Sequence, residues 1–94
     1  MSEFNVNLNE VVLTTSYVIS NNMPILYVSH ENDDSGIAWQ FHTDNGDSSE
    51  DKLRLVSLRQ ILEMDPTIQQ LVSLPLGYSA IRKSINDKWE YFIE

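Results

Sequence analysis

Two histidines and two runs of acidic residues are where this chain gathers groups able to do chemistry. His30 and His42, with Asp33, Asp34 or Asp44, offer nitrogen and oxygen donors to a divalent metal. A closed structural zinc site needs four ligands at a recurring spacing, most often including cysteine thiolates. The chain has no cysteine, and no such spacing joins the two histidines, so they read as strand-end residues with ordinary polar contacts. The run Asp44-Asn45-Gly46-Asp47-Ser48-Ser49-Glu50-Asp51 is rich in the hard oxygens that calcium prefers, yet it lacks the alternation and closing glutamate of an EF-hand loop. No metal and no cofactor is expected.

Catalytic constellations fare no better. Asp33 and Asp34 are adjacent in a turn-forming segment, whereas acid–base catalysis needs carboxylates held around a cleft with separated proton affinities. Asp47, Glu50 and Lys52 resemble an acid-plus-lysine nuclease pattern, but an acidic loop repels a phosphate substrate. Ser29, His30 and Asp33 name the members of a triad without an oxyanion site or a Gly-x-Ser-x-Gly elbow. The absence of cysteine excludes a thiol nucleophile, and the sequence has no glycine-rich phosphate loop. A non-enzymatic role is the expectation.

Charge points toward binding. The formal net charge is −8, and residues 1–51 hold nine acidic side chains and no lysine or arginine. From Lys52 onward six basic side chains nearly balance five acidic ones. A field of this sign disfavours nucleic-acid phosphates and anionic membranes and attracts a basic partner. Trp39 and Phe41 lack the positive groove that single-strand binding requires, and Arg82, Lys83 and Lys88 read as a small solvated basic edge. The candidate contacts with a basic protein partner are therefore Asp33, Asp34, Asp44, Asp47, Glu50 and Asp51 for charge, with Trp89 and Tyr91 as anchors if their strand face is exposed.

The elements that position these residues follow from periodicity. Val11-Val12-Leu13-Thr14 is a strand candidate, and Tyr17-Val18-Ile19 precedes the turn formers Ser20-Asn21-Asn22. Pro24 leads into a strand over Ile25–His30. Alternation places Ile37, Trp39 and Phe41 on one face of a second strand, and the acidic segment between them closes an antiparallel hairpin. Asn45-Gly46 marks a solvated connection, and Leu53–Val56 is a brief strand.

Ser57 then caps a helix, with Gln60 at the capping-box position and Leu58, Ile61 and Leu62 as its buried stripe. Asp65-Pro66 starts a second helix: the aspartate accepts from free amides, and the proline stands where its missing N–H costs nothing. Ile68, Leu71 and Val72 form its apolar side, and Leu74-Pro75-Leu76-Gly77 turns the chain. Tyr78–Lys83 and Lys88–Ile93 form a C-terminal hairpin. The expected fold is α+β: a twisted, mainly antiparallel sheet of four to six strands, covered on one face by two short helices.

Residues 1–94 suffice for one hydrophobic core and are expected to form a single domain, with residues 1–9 loosely attached. No apolar run approaches the ~20 residues of a membrane span. Met1-Ser2-Glu3-Phe4 does not begin like a secretory signal, so a cytoplasmic location is expected.

Six segments together resemble the bacterial Imm33-like family of small domains. They are Val12-Leu13-Thr14-Thr15, Pro24-Ile25-Leu26-Tyr27, Asp34-Ser35-Gly36 followed by Trp39-Gln40-Phe41, Val56-Ser57-Leu58, Met64-Asp65-Pro66-Thr67-Ile68, and Leu74-Pro75-Leu76-Gly77. The resemblance runs over residues 11–92. It implies an immunity protein that binds and occludes a bacterial toxin in the producing cell, with no catalytic residue to carry over. The alternative is a non-enzymatic accessory or regulatory protein-binding domain.

Overall fold

A computed structural model describes residues 8–31, 37–43, 50–71 and 73–93. Its frame is a six-stranded sheet in the order β4-β1-β3-β2-β5-β6. The strands are β1 (Val11–Thr15), β2 (Tyr27–His30), β3 (Trp39–His42), β4 (Leu53–Ser57), β5 (Tyr78–Ile81) and β6 (Glu90–Ile93). Every neighbouring pair is antiparallel except β1 and β3, which run parallel with Leu13 opposite Gln40. The expected α+β sheet with one helix-covered face is therefore present. The β2–β3 and β5–β6 hairpins are also present, with strands shorter than the periodicity suggested.

Successive strand residues face opposite sides, so the register sorts the side chains. Val12, Val28, Trp39, Phe41 and Ala80 share one face and are buried in a core with Leu58, Ile61, Ile68 and Leu71 from the helical segments. On the other face one directly paired row crosses all six strands: Leu55, Leu13, Gln40, Ser29, Ser79 and Phe92. Among the described strand residues of that face, Glu90 alone is formally charged.

Short segments fill the core side. Tyr17-Val18-Ile19 belongs to a single helical turn, α1 (Ser16–Ile19), which delivers Val18 to the core. Asn22, with φ of 56°, then reverses the chain in the left-handed region that asparagine tolerates best among residues with a Cβ. Helix α2 (Leu58–Met64) begins as expected: the Ser57 hydroxyl accepts from the Gln60 amide at 3.2 Å. The Leu58 and Arg59 amides donate to the Glu10 and Leu8 carbonyls, each at 2.9 Å. Three amides that the helix itself cannot pair are thereby satisfied.

The segment after Asp65 is a 3-10 helix, Pro66–Leu71, and not an α-helix. Its apolar residues explain the difference. Ile68 and Leu71, continued by Leu74, recur every third position, and all three are buried; a 3-10 helix aligns side chains at i and i+3, as an α-helix does not. Gly77, with φ of 91°, makes the turn into β5.

Candidate binding surface

Arg82 follows β5 in phase with Tyr78 and Ala80, so it points to the core side, and Asp65 closes α2 directly beneath it. The Arg82 Nη2 donates to Asp65 Oδ2 at 2.7 Å, with the two side chains 1% and 7% exposed. Nε donates to the Ile25 carbonyl at 3.0 Å, and Nη1 to Thr67 Oγ1 at 3.0 Å and the Ile85 carbonyl at 3.3 Å. Thr67 in turn donates its hydroxyl and its amide to Asp65 Oδ1. Both charges are thus met on several sides, which is what keeps a buried ion pair from costing more than it returns. Arg82 is not part of a solvated basic edge with Lys83 and Lys88. Those two lysines are exposed, and the arginine ties the segment that leads into β2 to the end of β5 and the start of the 3-10 helix.

Trp89 covers this network. Its ring lies 4.2 Å from the Arg82 guanidinium carbon in cation–π geometry, and the residue packs against the core only partly buried. Its Nε1 is buried without a hydrogen-bond partner. Tyr91 is 49% exposed, with its hydroxyl donating to the Gln70 carbonyl at 3.4 Å. Of the two candidate anchors, Tyr91 is therefore presented to solvent and Trp89 serves mainly as a lid.

The charge candidates are distributed. Asp33, Asp34, Asp44 and Asp47 lie outside the described residues. Glu50 opens a 3-10 turn, Glu50–Lys52, that leads into β4. Asp51 is exposed, and its carboxylate is 3.9 Å from the Lys52 ammonium, itself 6.0 Å from the Tyr17 ring. The two acidic connections are attached at opposite ends of β3: one enters at Trp39 and the other leaves after His42.

The histidines do not approach each other as a metal pair would. His30 lies opposite Trp39 and His42 opposite Tyr27, so they stand at opposite ends of the β2–β3 ladder and on opposite faces. On the core side the His30 Nδ1–H donates to the Leu74 carbonyl at 2.8 Å and its ring stacks on Trp39 at 3.9 Å. His42 meets the Gln40 side chain at 3.2 Å and the edge of Tyr27 on the open side. Among the described residues no group of three or more His, Asp or Glu is placed to hold a metal ion.

Two apolar surfaces were not singled out by composition or periodicity. A cleft of about 200 Å³ is lined mainly by apolar side chains, Val18, Pro24, Ile25, Met64 and Ile85 among them, with Asn22 as a polar member. Asp65 reaches it, but that carboxylate is already saturated by Arg82 and Thr67. The second surface is the open sheet face, where Val11 and Leu55 are 50% and 61% exposed. Leu53 and Leu55 alternating outward from β4 was the available signal. No described helix is long and apolar enough to cross a membrane.

These features define a small α+β domain with one helix-covered sheet face and one largely uncharged open face. The chain belongs to the Imm33-like family, whose domain model matches residues 1–91. No curated protein matches the chain. No solved structure matches it either.

Proposed function

We propose that this chain acts as an immunity protein: a cytoplasmic, non-enzymatic inhibitor that binds a bacterial toxin and occludes its working surface. Membership of the Imm33-like family over residues 1–91 carries this reading. The charge distribution supports it, because nine acidic side chains and no lysine or arginine in residues 1–51 favour encounter with a basic protein. The open sheet face, where Val11 and Leu55 are exposed, adds a desolvatable centre.

Co-expression tests the assignment. A toxin encoded beside this chain should be neutralised and should co-purify with it at a one-to-one ratio. Reversal of Asp33, Asp34, Asp47 and Glu50 to lysine should slow association while leaving the melting temperature in place. Failure of both rescue and association with every neighbouring toxin candidate would exclude the function.

A further inference from the structure

One arginine ties three walls of the cleft together. Arg82 Nε donates to the Ile25 carbonyl at 3.0 Å, Nη1 to the Ile85 carbonyl at 3.3 Å and Nη2 to Asp65 Oδ2 at 2.7 Å, and all three acceptor residues line the cleft. They belong to the segment before β2, the end of α2 and the segment after β5. Walls held by one buried side chain need little further ordering, which is the condition under which a ligand binds without a large entropic cost. The cleft is also reachable, because Met64 and Ile85 in its lining are 37% and 46% exposed.

We propose that this cleft is a binding site for one neutral aromatic ring of up to indole size. Volume sets the size. An apolar cavity of ~150 Å³ holds benzene, and this cleft offers about 200 Å³. Charge sets the neutrality: the ionisable group of the lining, Asp65, is committed to Arg82 and Thr67, so a charged ligand would leave water without a partner to receive it.

The thioethers set the class. Two of the chain's three methionines, Met23 and Met64, line this small space, and their polarisable sulfurs favour the edge of an aromatic ring over a saturated ring of the same size. Asn22, exposed in the same lining, brings an amide that can meet the single N–H of an indole or the hydroxyl of a phenol. The same chemistry admits a free small molecule or the aromatic side chain of a protein partner, and one set of titrations separates the two sources.

Methionine-methyl NMR on the full chain, with indole added to millimolar concentration, tests this, since ring currents displace only methyls that lie against the ring. The Met23 and Met64 signals should shift together and saturate. Phenol should do the same, and cyclohexanol, its saturated counterpart, should bind at least about threefold more weakly. Met64→Lys should weaken indole binding at least about tenfold, read at the Met23 methyl, with an unchanged circular dichroism spectrum; if that variant does not fold, Ile85→Lys takes its place. A capped Ala-Trp-Ala peptide that produces the indole shifts assigns the ring to a partner's side chain, and indole binding without peptide binding assigns it to a small molecule. No saturable shift with indole, phenol or the peptide, equal binding of phenol and cyclohexanol, or undiminished binding in the lysine variant would each overturn the proposal.

Discussion

The Asp65 carboxylate and the Arg82 guanidinium meet at 2.7 Å almost out of reach of solvent, joining the end of α2 to the end of β5. Asp65 has two tasks at once: its Oδ1 accepts from the Thr67 amide at the start of the 3-10 helix while Oδ2 takes the arginine. Removal of either partner strands the other charge, at a cost of about 3–5 kcal/mol. Asp65→Ala and Arg82→Ala should each lower stability by that amount in urea denaturation. Asp65→Ala combined with Arg82→Ala should cost markedly less than the sum of the two single variants. A double variant as unstable as their sum would show that the pair is not coupled.

Trp89 predicts a smaller, related effect. Trp89→Ala removes the ring over Arg82 and lets water reach the network, so stability should fall by more than the ~0.5–2 kcal/mol of the cation–π contact alone. Trp89→Phe should recover part of the loss. If Trp89→Ala instead leaves thermal unfolding unchanged, the indole is not the lid described above.

Gly77 has open space around the position of a Cβ, so a methyl group there meets no neighbour. Its φ of 91° nevertheless strains any L side chain. Gly77→Ala should destabilise by more than about 1 kcal/mol, a drop of at least ~4–8 °C in Tm for a domain of this size. An unchanged Tm would locate the turn's tolerance elsewhere.

Ser57 offers a test of helix entry. Loss of the hydroxyl that accepts from the Gln60 amide should cost ~0.5–2 kcal/mol in Ser57→Ala, and Ser57→Asp should restore most of it. Equal stability of all three proteins would mean that the Glu10 and Leu8 carbonyls cap the helix unaided.

Most of these local features were legible in the sequence because each depends on a few neighbouring residues. The Ser57 cap, the Asp65-Pro66 start, the alternation through Trp39 and Phe41 and both hairpins all belong to that class. The 3-10 geometry was written in the three-residue spacing of Ile68, Leu71 and Leu74, but it is hidden when Val72 is counted into an α-helical stripe. Arg82 was misread because charge alone suggests the surface. Its phase with Ala80 was the better signal, yet no local rule relates position 82 to position 65. The strand order was beyond local reading, since it depends on pairings between distant segments. For the candidate surface, the sign of the charge was legible and the packing of Trp89 over Arg82 was not.

The place of β1 between β3 and β4 governs how the molecule comes together. The first described strand has no partner among the described strands until residues near Gln40, and then near Leu55, have followed it. Its slot is bounded by two long closures, one of them parallel, and such non-local pairings slow folding because the entropy of closing the loop is lost before the contacts form. Assembly can begin with the β2–β3 hairpin, whose contacts are close in sequence, and β1 locks when β4 arrives. A nascent chain stalled before Leu55 would therefore leave Val12 and Leu13 without one flank of the sheet.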